Sequence, residues 1–119
     1  MIIKISTVAS LAAIFWTLGA AHAAARETPI PRSMAGDKGQ YYLLELKRKG
    51  DVVEALHKRV GIESTGYTRT ETNCKTMQMR ELGYTEESVA TMKIKPTDWF
   101  DLVQGSSKSD VAEFVCGSR

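Results

Sequence analysis

The sequence predicts an α+β fold, an antiparallel sheet of about four to six strands with a C-terminal helix packed on it. Aromatic, branched and threonine side chains alternate with polar residues in several short segments between residues 40 and 103. Only the last segment, residues 107–116, has a clean helical stripe of apolar side chains, with Val111, Phe114 and Val115 on one face. A run of strands that ends in one helix is typical of a sheet covered on one face by that helix.

The first predicted hairpin spans residues 40–60. In residues 40–47, tyrosines and leucines alternate between two faces, which favours a strand. Residues 49–51 contain a glycine, which adopts the positive φ of a tight turn without steric cost. Residues 52–60 are the predicted partner strand, although a helix stays open there because the apolar residues also recur at helical spacing.

The rest of the sheet is predicted within residues 67–103. Residues 67–74 alternate Thr or Tyr with polar residues and form the predicted third strand. Residues 75–82 are either a fourth strand or a bent extension of the third, and the helix propensity of Met, Gln and Glu competes there. Residues 83–96 are predicted as a loop, and residues 99–103 as a last short strand before the helix.

The N-terminal segment, residues 1–25, has the features of a removable signal peptide. Lys4 is the only charged residue before Arg26, an apolar run follows it, and the run ends in small residues that suit a signal peptidase. The alternative is an uncleaved anchor, because the uncharged stretch is long enough to span a bilayer. We expect cleavage before Ala24 or Arg26, a periplasmic or secreted protein, and no stable membrane insertion after cleavage.

The mature chain is predicted to be one domain, residues 40–119, after a flexible lead-in, residues 26–39, whose prolines and glycines argue against a packed element. The whole chain has 16 basic and 14 acidic side chains, and removal of Lys4 leaves 15 against 14. A nearly neutral domain lacks the positive field of a nucleic-acid-binding protein, so we expect no nucleic-acid partner.

Two cysteines, Cys74 and Cys116, both follow the predicted leader. In an oxidising compartment such a pair normally forms one structural disulfide. A redox pair usually has C-x-x-C spacing, and a zinc site needs more ligands than two cysteines and one distant histidine. The sequence therefore predicts a domain closed by a disulfide between the two cysteines.

A basic patch on the predicted hairpin is the candidate binding surface. Cationic side chains on its two arms are predicted to face each other, and tyrosines would supply contact area nearby. The candidate residues are Lys47, Arg48, Lys49, Lys58, Arg59, Tyr41 and Tyr67. The alternative is that the lysines only prevent edge-to-edge aggregation of strands.

Catalytic and metal-binding patterns are missing from the sequence. His57 is the only histidine after the leader, and neither a nucleophile motif nor a phosphate-binding glycine loop accompanies it. We therefore interpret His57 as a surface or half-buried structural residue. We expect no cofactor, no metal and no catalytic residue.

Spaced residues in the second half of the chain form a pattern that is found in a known family. They are Glu71-Thr72-Asn73-Cys74, Arg80, Trp99, Gly105-Ser106 and Val115-Cys116. Over residues 40–116 the chain thereby resembles the surface-adhesin protein E-like family of small exported bacterial proteins. The resemblance implies a strongly bent sheet with a helix, a disulfide between the two cysteines and dimerisation. The lipid-attachment cysteine of a surface-anchored adhesin is missing, which favours a periplasmic or released protein.

These observations predict a small, exported, non-enzymatic binding protein of the bacterial envelope, adhesin-like in class. Its expected partner is a protein or an envelope component, and a homodimer is a further expectation. Two alternatives stay open: a periplasmic enzyme inhibitor that uses residues 83–96 as a protruding loop, or a small hydrolase that holds His57 with an acid in a cleft.

Overall fold

The computed structural model describes residues 27–33 and 36–117, and in them it confirms the predicted α+β fold. Six antiparallel strands form one open sheet, and a single α-helix follows them. The elements in chain order are β1 (Thr28–Pro29), β2 (Gln40–Lys49), β3 (Val52–Val60), β4 (Thr65–Asn73), β5 (Gln78–Thr85), a short 3-10 helix (Val89–Thr91), β6 (Phe100–Asp101) and α1 (Ser107–Gly117). The predicted signal peptide, residues 1–25, lies outside the described residues.

The sheet is a meander, because each strand pairs with its neighbours in the sequence. In the β2–β3 hairpin Lys49 pairs with Val52, and Gly50 in the turn has a φ of 62°. In the β4–β5 hairpin Asn73 pairs with Gln78, and the Asn73 side chain accepts hydrogen bonds from two backbone N–H groups of the turn. Residue types that favour tight turns therefore set both hairpins.

Two shifts in strand pairing accompany the bend of the sheet. The register of β2 with β3 shifts between Leu43 and Glu45, and the register of β4 with β5 shifts between Arg69 and Thr70. An extra residue in one strand of an antiparallel pair bends that strand and increases its twist. The bent sheet has a concave face, and α1 packs on it against β3 and β4.

The main core lies between the concave face and α1. On the helix, Val111, Ala112 and Val115 are each at most 1% exposed. The buried residues that meet them are Ile30, Tyr41, Leu43, Val53, Ala55 and Met79. Each fully buried aliphatic side chain stabilises the fold by about 1.5–3 kcal/mol. The position of α1 over the sheet is therefore fixed by apolar contact.

The predicted disulfide between Cys74 and Cys116 is confirmed. It joins the last turn of α1 to the end of β4, with the two Cα atoms 5.6 Å apart and 42 positions apart in the sequence. Closing a loop of that length stabilises a domain by about 4 kcal/mol in the chain-entropy model. The bridge thus holds the C-terminal end of α1 on the sheet.

The prediction of an unpacked lead-in over residues 26–39 is wrong for its described part. Thr28–Pro29 pairs with β2, and the Ile30 side chain is buried in the core. Arg32 and Asp37 form an ion pair, and Arg32 also pairs with Asp110 on α1. A two-residue strand leaves no periodic pattern in the sequence, and the prolines occupy edge positions that tolerate a missing N–H.

The strand predicted over residues 52–60 is confirmed with the same bounds, which removes the helical alternative. Two other segments differ in extent from their predictions. β5 extends to Thr85, so the predicted loop over residues 83–96 begins as a strand. The end of that loop is held against β5 by two backbone hydrogen bonds, from Lys95 N–H to Leu82 O and from Thr97 N–H to Glu81 O. The predicted strand over 99–103 shortens to two residues.

Candidate functional site

The predicted basic patch is not assembled by the hairpin. Lys47 pairs with Glu54, whereas Lys58 pairs with Tyr42. Glu54 and Lys58 are four positions apart on β3, which corresponds to about 13 Å along the strand. Antiparallel strands pair outward from their turn, so residues next to the turn on one arm never face residues at the far end of the other arm. The prediction that the two basic clusters face each other is therefore wrong.

Several members of the predicted patch have partners inside the molecule. The Arg48 guanidinium donates to the carbonyl oxygens of Val115 and Cys116, at 3.4 and 3.5 Å, which satisfies the C-terminal end of α1. Lys58 forms an ion pair with Glu27. Arg48 and Lys58 are therefore both engaged in contacts within the molecule.

The two tyrosines of the predicted patch lie on opposite faces of the sheet. Tyr41 pairs with Arg59, and Tyr67 pairs with Lys58, the adjacent residue on β3. Because side chains of successive strand residues point to opposite faces, these pairs cannot share a surface. Tyr41 is buried, and its hydroxyl donates to the Asp37 carboxylate at 2.7 Å. Tyr41 is therefore not the exposed aromatic contact that we predicted.

The concave face instead contains a pocket of about 140 Å³ beside the N-terminal turn of α1. Its buried side chains, the pocket floor, come from neighbouring strands and from the helix: Tyr41, His57, Thr70, Met79 and Val111. Its more exposed side chains, the pocket rim, are Arg59, Ser64, Thr68, Glu81, Tyr84, Ser107 and Lys108. Strand alternation places these sheet residues on one face, because His57 pairs with Thr68 and Thr68 pairs with Tyr84.

The floor holds two buried polar atoms that lack hydrogen-bond partners within residues 27–33 and 36–117. They are Nδ1 of His57 and Oγ1 of Thr70, on side chains that are 9% and 1% exposed. Thr72, two residues further along β4, has a third such oxygen but does not line the pocket. Buried polar groups are nearly always hydrogen-bonded, so two unpaired atoms at one cavity are unusual.

His57 is uncharged at neutral pH. Burial lowers the pKa of His57 to about 4, and the nearby Glu81 carboxylate opposes this shift without cancelling it. The ring of Tyr41 lies 5.9 Å from the imidazole, centroid to centroid. The interpretation of His57 as a surface or half-buried residue is therefore wrong in its burial: the side chain is buried, and it lines a pocket.

The two cations of the rim are each paired with a carboxylate. Arg59 contacts Asp37 at 2.7 Å, and Lys108 contacts Glu81 at 3.0 Å. Asp37 also accepts hydrogen bonds from the Tyr41 and Ser107 hydroxyls. The Arg59 guanidinium, followed by these lesser contacts, holds the pKa of Asp37 far below its usual range. Each of the two rim cations therefore has one carboxylate contact, Arg59 with Asp37 and Lys108 with Glu81.

A glycine shapes one side of the rim. A Cβ added to Gly66 would lie 2.6 Å from the Tyr84 hydroxyl oxygen, which is closer than real Cβ contacts. Gly66 therefore lets the Tyr84 ring cross the start of β4 at the pocket. The Tyr84 hydroxyl donates to Glu86 at 3.0 Å, which fixes that ring.

Among the described side chains, His57 lacks the contacts of a catalytic base. A nucleophile needs a hydrogen-bonded base, and Nδ1 of His57 contacts no hydroxyl among the described side chains. A base whose pKa is near 4 is also weak at neutral pH. In the part of the chain that the structure describes, no group of three or more His, Cys, Asp or Glu side chains is placed to hold a metal ion.

Sequence reasoning missed the pocket because it assigned the threonines of β4 only to strand formation. Thr68, Thr70 and Thr72 alternate with charged residues, so the sequence does show that they share one face. It does not show that this face is concave, or that the helix leaves part of it open. The signal that could have indicated a polar site is His57 on the same face as Ala55 and Val53.

The overall class of the molecule is thus a disulfide-closed α+β domain with a small pocket on the concave face of its sheet. Among residues 27–33 and 36–117, no helix is both long and apolar enough to cross a membrane. No protein-family model, no curated protein and no solved structure matches the chain.

Proposed function

We propose that this chain is an exported, non-enzymatic binding protein that recognises a protein or envelope component through the pocket on the concave face. The observation that carries the proposal is the pocket itself, which the start of α1 leaves open on the concave face. Its lining joins apolar side chains, Met79 and Val111, to polar side chains of the rim that can hydrogen-bond a ligand.

The disulfide supports the export part of the proposal. The Cys74–Cys116 bridge closes a small domain, and such bridges persist in the periplasm or outside the cell rather than in reducing compartments. The leader-like sequence of residues 1–25 points to the same compartments. A periplasmic or secreted location is thus the proposed one.

The character of the pocket supports binding without catalysis. His57 lacks a hydrogen-bonded hydroxyl in the described chain, and its neutral state at physiological pH comes from burial. The inhibitor alternative has less support, because hydrogen bonds from Lys95 and Thr97 tie the supposed protruding loop to β5. A protease-inhibiting loop would need to stand clear of the sheet.

A blocking substitution tests the proposal. Thr68→Trp places a large ring over the pocket, and Thr65→Trp, on the opposite face of β4, is the matched control. The oxidised protein and both variants would be used to capture labelled components of an envelope extract. We expect the Thr68→Trp variant to lose the species that the other two retain, with its far-ultraviolet circular dichroism unchanged.

Retention of every captured species by a folded Thr68→Trp variant would remove the pocket from the proposed function. If that variant fails to fold, Thr68→Phe repeats the test with less added volume. The charge-reversal variant Lys47→Glu separates the pocket from the hairpin, because Lys47 pairs with Glu54 far from the pocket. If only the Lys47→Glu variant loses binding, the basic hairpin rather than the pocket is the binding surface.

A further inference from the structure

We infer that the group which enters the pocket is a singly charged carboxylate on a short apolar body, with Arg59 and Lys108 of the rim as its cationic partners. This inference rests on the proposed function and adds the chemistry by which the captured component is recognised. It is drawn from the charges that line the rim, from the donors that those charges still offer, and from the size of the cavity.

Cations outweigh anions among the described side chains of the rim. Arg59 and Lys108 line the pocket with side chains that are 43% and 56% exposed, and the one carboxylate that lines it, Glu81, is 31% exposed. Asp37, the internal partner of Arg59, does not line the pocket and is only 15% exposed. A ligand at the rim therefore meets two positive charges and one negative charge, which favours a single negative charge on the ligand.

Arg59 keeps donors for a ligand because its internal partner is saturated. Its contact with Asp37 uses one nitrogen, Nη2, of a guanidinium that has five N–H donors. Two carboxylate oxygens offer about four lone-pair sites, and Asp37 already accepts other hydrogen bonds besides that of Arg59. Their donors are Arg32 Nη2, the hydroxyls of Tyr41 and Ser107, and the backbone N–H of Gly39. Asp37 therefore has no capacity left for the remaining donors of Arg59.

The Arg59 guanidinium is held in one position at the rim. A Cβ added to Gly39 would lie 2.4 Å from Arg59 Nε and 2.6 Å from its Cζ, closer than real Cβ atoms approach. The guanidinium thus packs directly on the backbone of a glycine while Asp37 holds Nη2. A group that is already ordered loses less entropy when a ligand binds, and its planar fork matches the two oxygens of a carboxylate.

Lys108 supplies the second positive charge from the helix. Its ammonium contacts Glu81 at 3.0 Å and lies 4.9 Å from the centre of the Phe100 ring. An ammonium has three N–H donors, and an exposed ion pair of this kind holds its partners only weakly. A second carboxylate can therefore share Lys108 with Glu81. Hydrogen bonds to a charged partner are roughly twice as strong as neutral ones, so an anion gains more at this rim than an uncharged amide does.

The cavity sets the size of the apolar body. It has a volume of about 140 Å³. An apolar cavity of about 150 Å³ in another protein holds benzene, which has six non-hydrogen atoms. The Tyr84 ring, 55% exposed, offers an apolar surface at the rim. A carboxylate with about three further carbon atoms fits these limits, whereas a doubly charged phosphate would place an additional negative charge near Glu81.

Three probes of the same size and shape test the inference. Butanoate, butanamide and butanamidinium each have six non-hydrogen atoms and differ at one planar end group, which is negative, neutral or positive. Each would be titrated into the oxidised protein at neutral pH and low salt, while the Nε–H resonance of Arg59 and the backbone amide of Lys108 are followed by NMR. We expect butanoate to bind with a dissociation constant of about 1–10 mM, and the other two to bind at least about fivefold more weakly. Added salt should weaken the binding of butanoate and leave that of butanamide unchanged.

Charge-changing variants localise the effect. Lys108→Gln should weaken butanoate binding by about two- to fivefold, the value of one exposed ion pair. Lys47→Gln makes the same change of charge outside the pocket and should leave binding unchanged. Glu81→Gln removes the rim carboxylate and should tighten butanoate binding by about two- to fivefold. Its control is Glu54→Gln, on the opposite face of β3 from the buried Ala55.

The possible failures are distinguishable from failure of the proposed function. Equal or tighter binding of butanamide or butanamidinium would overturn the carboxylate inference, and so would weaker butanoate binding in Glu81→Gln. Equal effects of Lys108→Gln and Lys47→Gln would show that butanoate responds only to the net charge of the protein, which also overturns it. Unmoved Arg59 and Lys108 resonances with butanoate at about tenfold the expected dissociation constant would overturn it as well. In each case the capture experiment with Thr68→Trp decides separately whether the pocket serves binding.

Discussion

Replacing the unpartnered threonines by valine should stabilise the protein. The Oγ1 atoms of Thr70 and Thr72 are buried without hydrogen-bond partners in the described chain, and both residues are at most 1% exposed. A buried hydroxyl without a partner costs about 1–3 kcal/mol, and valine replaces it by a methyl group of similar volume while keeping the β-branched shape of a strand residue. We therefore expect Thr70→Val and Thr72→Val each to raise the free energy of unfolding by about 1 kcal/mol.

The assay is thermal and urea unfolding of the oxidised protein. For a domain of this size, about 1 kcal/mol corresponds to a rise in Tm of roughly 4–8 °C. Thr68→Val is the matched control on the same face of β4, because Thr68 is only half-buried and its change should stay within about 0.5 kcal/mol. Destabilisation by both Thr70→Val and Thr72→Val would show that the two hydroxyls are hydrogen-bonded in solution.

Three further predictions concern the parts that hold the pocket in place. Cys74→Ser should lower the free energy of unfolding by about 4 kcal/mol in urea, because α1 is then no longer tied to β4; a loss below about 1 kcal/mol would show that the bridge matters little. Asp37→Asn should destabilise the domain by about 2 kcal/mol and speed proteolysis in the segment before β2, because Arg59 and Arg32 lose the carboxylate that they share. An unchanged rate of proteolysis would show that this segment is not packed on the domain. The free energy of unfolding should fall by up to about 3 kcal/mol between pH 6.5 and 4. The pKa of His57 is near 6.5 in the unfolded chain and about 4 in the fold, so only the unfolded state takes up a proton in that window. His57→Gln should flatten this pH dependence, and an equally steep dependence in that variant would assign it to other groups.

The elements of the fold that could be predicted are those marked by a local sequence pattern. Gly50 marks the first turn, the alternation in residues 40–47 and 52–60 marks its arms, and the spacing of the helical valines marks α1. The cysteines could be paired because only two follow the leader. Each of these inferences needs only neighbouring residues or simple counting.

The parts that escaped prediction depend on contacts between distant segments. Ile30 is buried because β1 meets the edge of β2, and two residues are too few to show a period. The pocket depends on the register shift between Arg69 and Thr70 and on the residue at which α1 begins. No local sequence pattern predicts either feature. The basic patch was a different error, since counting outward from Gly50 already places Lys47 opposite Glu54.

The most direct test of the account is capture from envelope extract by the oxidised protein and by its Thr68→Trp variant, because Thr68 lines the pocket. The account predicts that the folded Thr68→Trp variant loses the species that the unmodified protein and Thr65→Trp retain. A folded Thr68→Trp variant that captures every one of those species would show that this pocket is not where the protein binds.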